Sequence, residues 1–324
     1  MTIRKGGDDV YLNRLFSYLQ QQFQGEIVNM KPIRQTVFFV QTKTNKYVIK
    51  GYSSYNRLKI QETFTSTLKK EGFQDTYSFV QPAGKDPLLF EKMYLGCIEY
   101  IEPHQENFSY KTKKERLEGL ELLGKFHTVT ASFEKRYRTL IPKAKLIKKW
   151  KERADFFSEH RPIVGKFINT NILDELMTWA YWSLDGMEKH RDYFKSEPHV
   201  ILHGDVAHHN FLRAASGKLT LIDFDLISLG SDTIDLVQYA NRILPFLSWS
   251  LKDLQKYPLL QKKMQEKAYL YSLAYPSDIF REWNRIIKDN TYMNSVQTQQ
   301  VMELTMGQFY LREKFFKRLK RFLD

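Results

Sequence analysis

The sequence predicts an α+β fold: a short β-rich N-terminal part carrying one inserted helix, followed by a longer and mostly helical C-terminal part. Three observations predict it. Short runs of β-branched and aromatic residues, separated by polar turns, are concentrated before residue 94. Apolar residues at helical spacing dominate after that point. Only two isolated apolar runs, 200–202 and 219–222, look like strands in the C-terminal part, and they flank a polar loop. With 324 residues, 42% of them apolar and 15% aromatic, the chain is long enough for two lobes and a sizeable core. It divides into 1–94 and 95–324, with a short hinge expected near 92–96.

In chain order, residues 10–23 place Tyr11, Leu15, Tyr18 and Leu19 on one helical side, after Asp8 and Asp9 at the end where acids favour a helix. Strands follow at 27–33, 36–41 and 47–49, the last two joined by a polar turn at 42–46. Residues 55–70 form a helix ending at Gly72, and 77–80 and 88–90 form two more strands around a turn with Pro82 and Pro87. The result is a five-stranded antiparallel sheet with one helix. Helices are then expected at 113–130, 144–158 and 172–194, with several more after Asp232. Repeats, low-complexity tracts and Pro-rich linkers are absent from the sequence.

Composition narrows the class. A single cysteine, Cys97, excludes an internal disulfide framework and a cysteine-rich zinc site, and suits a small buried apolar position. Nothing reaches the roughly 18–20 apolar residues of a membrane span, and the charged first ten residues lack the apolar stretch of a signal peptide. A soluble, non-exported protein is expected. The net charge of +13 favours anionic partners. It is concentrated in 135–153, with nine Lys or Arg, and in the tail, where Leu311, Phe315, Leu319 and Phe322 recur at helical spacing among basic residues. Solvated helix faces explain both, the tail as a basic amphipathic helix docked on its own domain; a partner or membrane surface is the alternative. Basic residues interleaved with aromatics can also stack on RNA, but no nucleic-acid motif accompanies them.

The chemistry is concentrated at His203-Gly204-Asp205, Asn210 and Asp223. A strand delivers the first three onto a loop, and a turn at Ser216-Gly217 returns the chain to Asp223. Phosphoryl transfer asks little covalent help of a protein; it needs an acceptor hydroxyl held in line and phosphate charge neutralised. Asp205 can accept the hydroxyl proton, while Asn210 and Asp223 offer the hard oxygen ligands that Mg²⁺ prefers. His203 fits a structural hydrogen-bonding role better than that of a base. His208 and His209 lack the further Cys or Glu ligands a zinc site needs. Asp225 reads equally as a second metal carboxylate or a solvated acid.

The His-Gly-Asp-x4-Asn motif ending at Asn210, with Ile222-Asp223-Phe224-Asp225, resembles the aminoglycoside phosphotransferase and choline kinase superfamily. Within it, Asp205-Val-Ala-His-His-Asn210 and Leu122-Leu-Gly-Lys-Phe-His127 look most like CotS-type spore-coat proteins of endospore-forming bacteria. This resemblance implies a protein-kinase-like two-lobed fold, ATP and Mg as cofactors, and an unidentified small hydroxylated or amino-bearing acceptor. It also implies a location in the mother-cell cytoplasm or the spore coat, with other coat proteins as partners. It assigns Lys50 to the nucleotide phosphates and Glu62 to holding Lys50. Asp235 becomes the acid that braces the catalytic loop, with Asp232 capping the same helix, and His127 a satisfied packing residue. The superfamily joins its first two strands by a glycine-containing loop over the phosphates, whereas 29–36 has no glycine and includes Pro32; Lys31 or Arg34 can supply charge there. An inactive, structural kinase-fold protein of the coat is the alternative reading.

Overall fold

The structure is a computed structural model that describes residues 5–23, 26–81 and 87–324, with side chains from residue 10 onward. The chain forms two compact units. One comprises the chain up to Phe108 together with His209–Asp225; the other comprises Ser109–His208 and Leu226–Asp324.

The first unit begins with α1 (Lys5–Gln22), which packs Leu15 and Leu19 onto the sheet; the acids expected at its start, Asp8 and Asp9, lie outside the described side chains. The strands β1 (Ile27–Arg34), β2 (Val37–Thr42) and β3 (Lys46–Tyr52) form an antiparallel meander. After α2 (Tyr55–Lys70), β4 (Leu88–Phe90) and β5 (Met93–Glu99) complete a five-stranded sheet of order β1-β2-β3-β5-β4. Ser54 accepts a hydrogen bond from the Arg57 N–H at 3.3 Å to start α2, and Gly72, at φ +100°, follows its end.

Two expectations change here. The supposed loop 29–36 is mostly strand: β1 and β2 are joined through Gln35 and Thr36 alone, and Pro32 is tolerated because β1 is an edge strand with a register irregularity between Pro32 and Arg34. The expected strand 77–80 contributes only a bridge from Phe79 to Ile98, and the fifth strand is β5, which runs through the segment expected to be a hinge. Glu91 and Lys92 make the preceding tight turn, both with positive φ. The turn expected at 82–87 lies, except for Pro87, outside the described residues.

The same unit includes the hairpin of β6 (His199–Leu202)'s downstream chain, formed by β7 (Phe211–Arg213) and β8 (Leu219–Leu221). The His104 N–H donates to the Arg213 carbonyl at 2.8 Å and the Leu221 N–H to the Asp75 carbonyl at 2.9 Å. Phe224 packs edge-on against Phe64 of α2 at 5.2 Å.

The second unit is mostly helical, with β6 paired to β9 (Ser228–Ser231). Its helices are α3 (Lys113–Phe133), α4 (Leu146–Glu159), α5 (Arg161–Val164), α6 (Thr170–Lys189), α7 (Thr233–Ile243), α8 (Leu251–Leu254), α9 (Pro258–Lys263), α10 (Lys267–Leu273), α11 (Ser277–Lys288), α12 (Ser295–Met306) and α13 (Phe309–Leu323). A reciprocal cap between Thr112 and Glu115 opens α3. The basic tail is α13, and it docks on its own unit: Phe316 packs against Trp179 at 5.6 Å and Phe315 against Trp249 at 5.5 Å. Its buried stripe is Arg312, Phe315, Phe316, Leu319 and Leu323, whereas Phe322, expected inside, is 73% exposed. The four-residue step from Leu319 reaches the core, and the three-residue step does not.

Candidate active site

In the first unit, β3 carries Lys50 in its interior, buried and paired in register with Val37 and Gly96. Its Nζ lies 2.8 Å from Asp223 Oδ1 and 2.7 Å from Asp225 Oδ1, above the Tyr52 ring at 5.5 Å. Asp223 follows β8 with φ +69°, a left-handed conformation uncommon outside glycine and frequent at functional turns. Two ties hold it: the Ile222 N–H donates to the Asn210 carbonyl at 2.9 Å, and Gln61 of α2 donates its side-chain N–H to the Phe224 carbonyl at 2.8 Å. The hairpin thus sets Asn210, which is buried, beside the residue preceding Asp223.

Arg34, the last residue of β1, donates to Asp223 Oδ2 at 2.9 Å. Burial opposes ionisation of Asp223, but the charges and hydrogen bonds of Lys50 and Arg34 together outweigh it and hold the carboxyl below its ordinary value. Asp225, left open between metal ligand and solvated acid, is a half-exposed partner of Lys50. Glu62 does not hold Lys50: it pairs with Lys59, three residues earlier on α2, at 2.9 Å.

In the second unit, β6 delivers His203, Gly204 and Asp205 to a loop fixed from below by Asp235. Asp235 is wholly buried and accepts the backbone N–H of His203 at 2.7 Å and of Gly204 at 3.0 Å, with His127 Nε2 3.0 Å from its Oδ2. Burial raises its carboxyl, but the His127 hydrogen bond and charge, with His203, lower it further than burial lifts it. The loop needs glycine at 204: φ is +80°, and a Cβ there would lie 2.2 Å from the Leu226 carbonyl oxygen. His203 is buried, and its Nδ1 accepts the Asp205 N–H at 3.3 Å. The Asp205 carboxylate is partly exposed, with Arg242 of α7 at 3.4 Å. Asp232 makes no capping bond; its carboxylate instead accepts from Lys263 at 2.6 Å.

Two bracing groups escaped the sequence reading. The Tyr110 hydroxyl donates to the Val206 carbonyl at 2.6 Å, tying down the residue after Asp205, and no local pattern announces it. Arg242 had a usable signal, because it lies two helical turns after Asp235 and therefore on the same side of α7.

Asn210 with Asp223 is a donor set suited to Mg²⁺, which takes one or two side-chain oxygens together with phosphate and water. Among the described residues no group of three or more His, Cys, Asp and Glu forms a metal cluster, so the His208 and His209 pair forms part of no such cluster there. Cys97 is buried in β5, and burial pushes its thiol up to about 12, which keeps it an unreactive packing group.

An antiparallel sheet with α1 and α2 packed on it, followed by helices and by strand-borne loops carrying these acids, is the kinase-like α+β fold. An aminoglycoside phosphotransferase from Alicyclobacillus acidocaldarius superposes with a TM-score of 0.72 at 16% identity, over 92% of this chain and 93% of that one. An AMP-bound spectinomycin phosphotransferase gives 0.62 at 14% identity, over 93% and 97%. A choline kinase from Streptococcus pneumoniae gives 0.55 at 11%, over 94% and 99%. The family described as "Phosphotransferase enzyme family" (APH) matches residues 104–250, a span that includes Asp205, Asn210, Asp223 and Asp235. No curated protein matches the chain significantly in sequence. No helix among the described residues is long and apolar enough to cross a membrane.

Proposed function

We propose that this protein is an ATP- and Mg-dependent phosphotransferase acting on a small hydroxylated or amino-bearing metabolite. The observation that carries the reading is the cluster in the first unit: Lys50 from the sheet on the Asp223 carboxylate at 2.8 Å, with Asn210 set beside Asp223 by the β7–β8 hairpin. Nucleotide complexes among the structural relatives, with AMP, ADP and GDP, support it.

Asp205 is the acceptor-orienting base, since its carboxylate is accessible while Asp235 and Tyr110 immobilise the backbone on either side of it. Lys50 binds nucleotide phosphates, exchanging Asp223 and Asp225 for them. Asn210 and Asp223 hold the metal, which when bound supplies neutralisation of phosphate charge. Arg34 takes the place of the glycine-loop backbone: the two-residue turn leaves no loop to cover phosphates, but it sets a guanidinium next to Asp223. His203 keeps the loop's shape.

ATP with Mg²⁺ at millimolar concentration is expected to raise the melting temperature, and Asp223→Ala to remove the metal-dependent part of the rise. An unchanged melting curve would refute nucleotide binding. A second reading is supported by the turn at Gln35 and Thr36, which lacks glycine: a kinase-fold structural protein of the spore coat with little or no turnover. On either reading we assign the protein to the mother-cell cytoplasm or the coat, from the resemblance of 122–127 and 205–210 to CotS-type proteins. An Asp205→Ala protein that assembles into the coat and functions normally selects the structural role, and loss of function selects the enzymatic one.

A further inference from the structure

Asp223 meets two cations that come from the sheet of its own unit. In register, Arg34 of β1 lies opposite Val37 of β2, and Val37 lies opposite Lys50 of β3. Residues directly opposite on neighbouring antiparallel strands point to the same side of a sheet, so Arg34 and Lys50 leave it on one face, with only β2 between their strands. The turn between β1 and β2 is tied to β3, the Gly51 N–H donating to the Thr36 carbonyl at 2.8 Å, which fixes where Arg34 emerges.

Both oxygens of one carboxylate are thereby taken. Lys50 Nζ lies 2.8 Å from Asp223 Oδ1 and Arg34 Nη2 lies 2.9 Å from Oδ2, while Lys50 also reaches Asp225 Oδ1 at 2.7 Å. Two cations face two carboxylates, so the set is neutral by itself. A divalent ion arriving alone finds these oxygens already bonded and adds its charge beside a guanidinium and an ammonium. One arriving on a triphosphate does not, because the phosphate oxygens offer both side chains new acceptors, and arginine pairs with phosphate as readily as with carboxylate.

The two cations differ in their freedom to move. The Lys50 side chain is 10% exposed in the interior of the sheet, whereas that of Arg34 is 56% exposed at the end of an edge strand, just after a register irregularity. An ion pair with so exposed a partner holds weakly, and breaking it costs the fold little. Arg34 is therefore the cation that can be exchanged.

We propose that Arg34 is a resident cation on the metal carboxylate: it keeps free divalent ions from Asp223 until nucleotide phosphates draw its guanidinium away, so that metal and nucleotide enter the site together. This deepens the phosphotransferase reading and rests on its assignment of Asp223 to the metal. Arg34 is then a positioning residue with two places, Asp223 Oδ2 before the nucleotide binds and the phosphates afterwards.

The test is titration of the nucleotide-free full chain with Mn²⁺, the unbound ion being read by electron paramagnetic resonance. Mn²⁺ stands in for Mg²⁺ because both prefer carboxylate, carbonyl and water oxygens. Arg34→Gln is expected to bind the ion about tenfold more tightly than the parent, from loss of one adjacent positive charge. Adding Asp223→Asn to that variant should abolish the gain, and Arg34→Lys, which keeps the charge, should bind as weakly as the parent. The melting temperature of Arg34→Gln should stay within about 2 °C of the parent. The idea is overturned if the parent and Arg34→Gln bind Mn²⁺ within about threefold of each other, or if neither binds it at millimolar concentration. It is equally overturned if the gain survives Asp223→Asn, if Arg34→Lys binds as tightly as Arg34→Gln, or if Arg34→Gln melts several degrees lower, which would make the pair a structural one. Nucleotide is left out throughout, so a failure of ATP with Mg²⁺ to raise the parent's melting temperature counts against the phosphotransferase reading and not against exclusion of the free ion.

Discussion

Asp235→Asn isolates the bracing of the catalytic loop, because it preserves shape and removes only charge and acceptor capacity. In the parent chain the two carboxylate oxygens accept two backbone N–H groups, from His203 and Gly204, and face His127, all in a wholly buried position. An amide has one acceptor oxygen, so its NH₂ must confront one of those N–H donors. One charge-assisted bond, worth about 1.5–3 kcal/mol, is lost, and a buried donor is left unmatched at about 1–3 kcal/mol; roughly 3–4 kcal/mol of destabilisation is expected. For a unit of about 200 residues this is a fall of roughly 6–16 °C in melting temperature, read by calorimetry or circular dichroism. If the protein turns over ATP, kcat should fall at least tenfold at little change in the KM for ATP, since the displaced backbone is that of Asp205. Asp192→Asn, at an exposed acid, is the control and should stay within about 0.5 kcal/mol of the parent. A melting temperature for Asp235→Asn within a degree of the parent would refute the bracing argument.

Gly204→Ala should cost roughly 2–4 kcal/mol, from left-handed strain plus displacement of the Leu226 carbonyl, and denaturant unfolding would read it as a lower midpoint at unchanged slope. Asp235 and Asp223 are held below their ordinary values in the folded chain, so the unfolded chain binds more protons near pH 4. Their stabilising contribution is complete above the ordinary carboxylate range and is lost as pH falls through the depressed folded values; melting temperature should be level from pH 7 to about 5 and drop below about 4. An acid limb that begins above pH 5.5 would contradict that ordering. Arg34→Ala should raise the KM for ATP about tenfold with little loss of stability, the guanidinium being half exposed, and an unchanged KM would remove Arg34 from the phosphate site.

How much of this could be read from the sequence varies with the range of the interaction. Helix α2 shows in its own pattern, from Ser54 to Gly72, because capping and periodicity are local. By contrast β5 was hidden: four of its central residues are buried in succession and Gly96 interrupts it, so it shows no alternation, whereas Tyr77-Ser-Phe-Val80 alternates yet gains only a bridge. Gly96 is itself required by crowding, since a Cβ there would lie 2.6 Å from the Phe79 ring and 2.8 Å from Leu58.

The sequence by itself determined the α+β class, four of the five strands of the sheet and the spacing of Asp205, Asn210 and Asp223, because each rests on periodicity or on residue chemistry within one loop. Only the tertiary structure decided which acid Lys50 holds, 173 residues away rather than on the neighbouring helix, and that Arg34 closes on the same carboxylate. It also decided that Asp232 answers Lys263 instead of capping α7, and that Arg242 of α7 reaches Asp205. Charges choose partners by distance in space, and distances between residues far apart in the chain follow from how whole helices and strands pack.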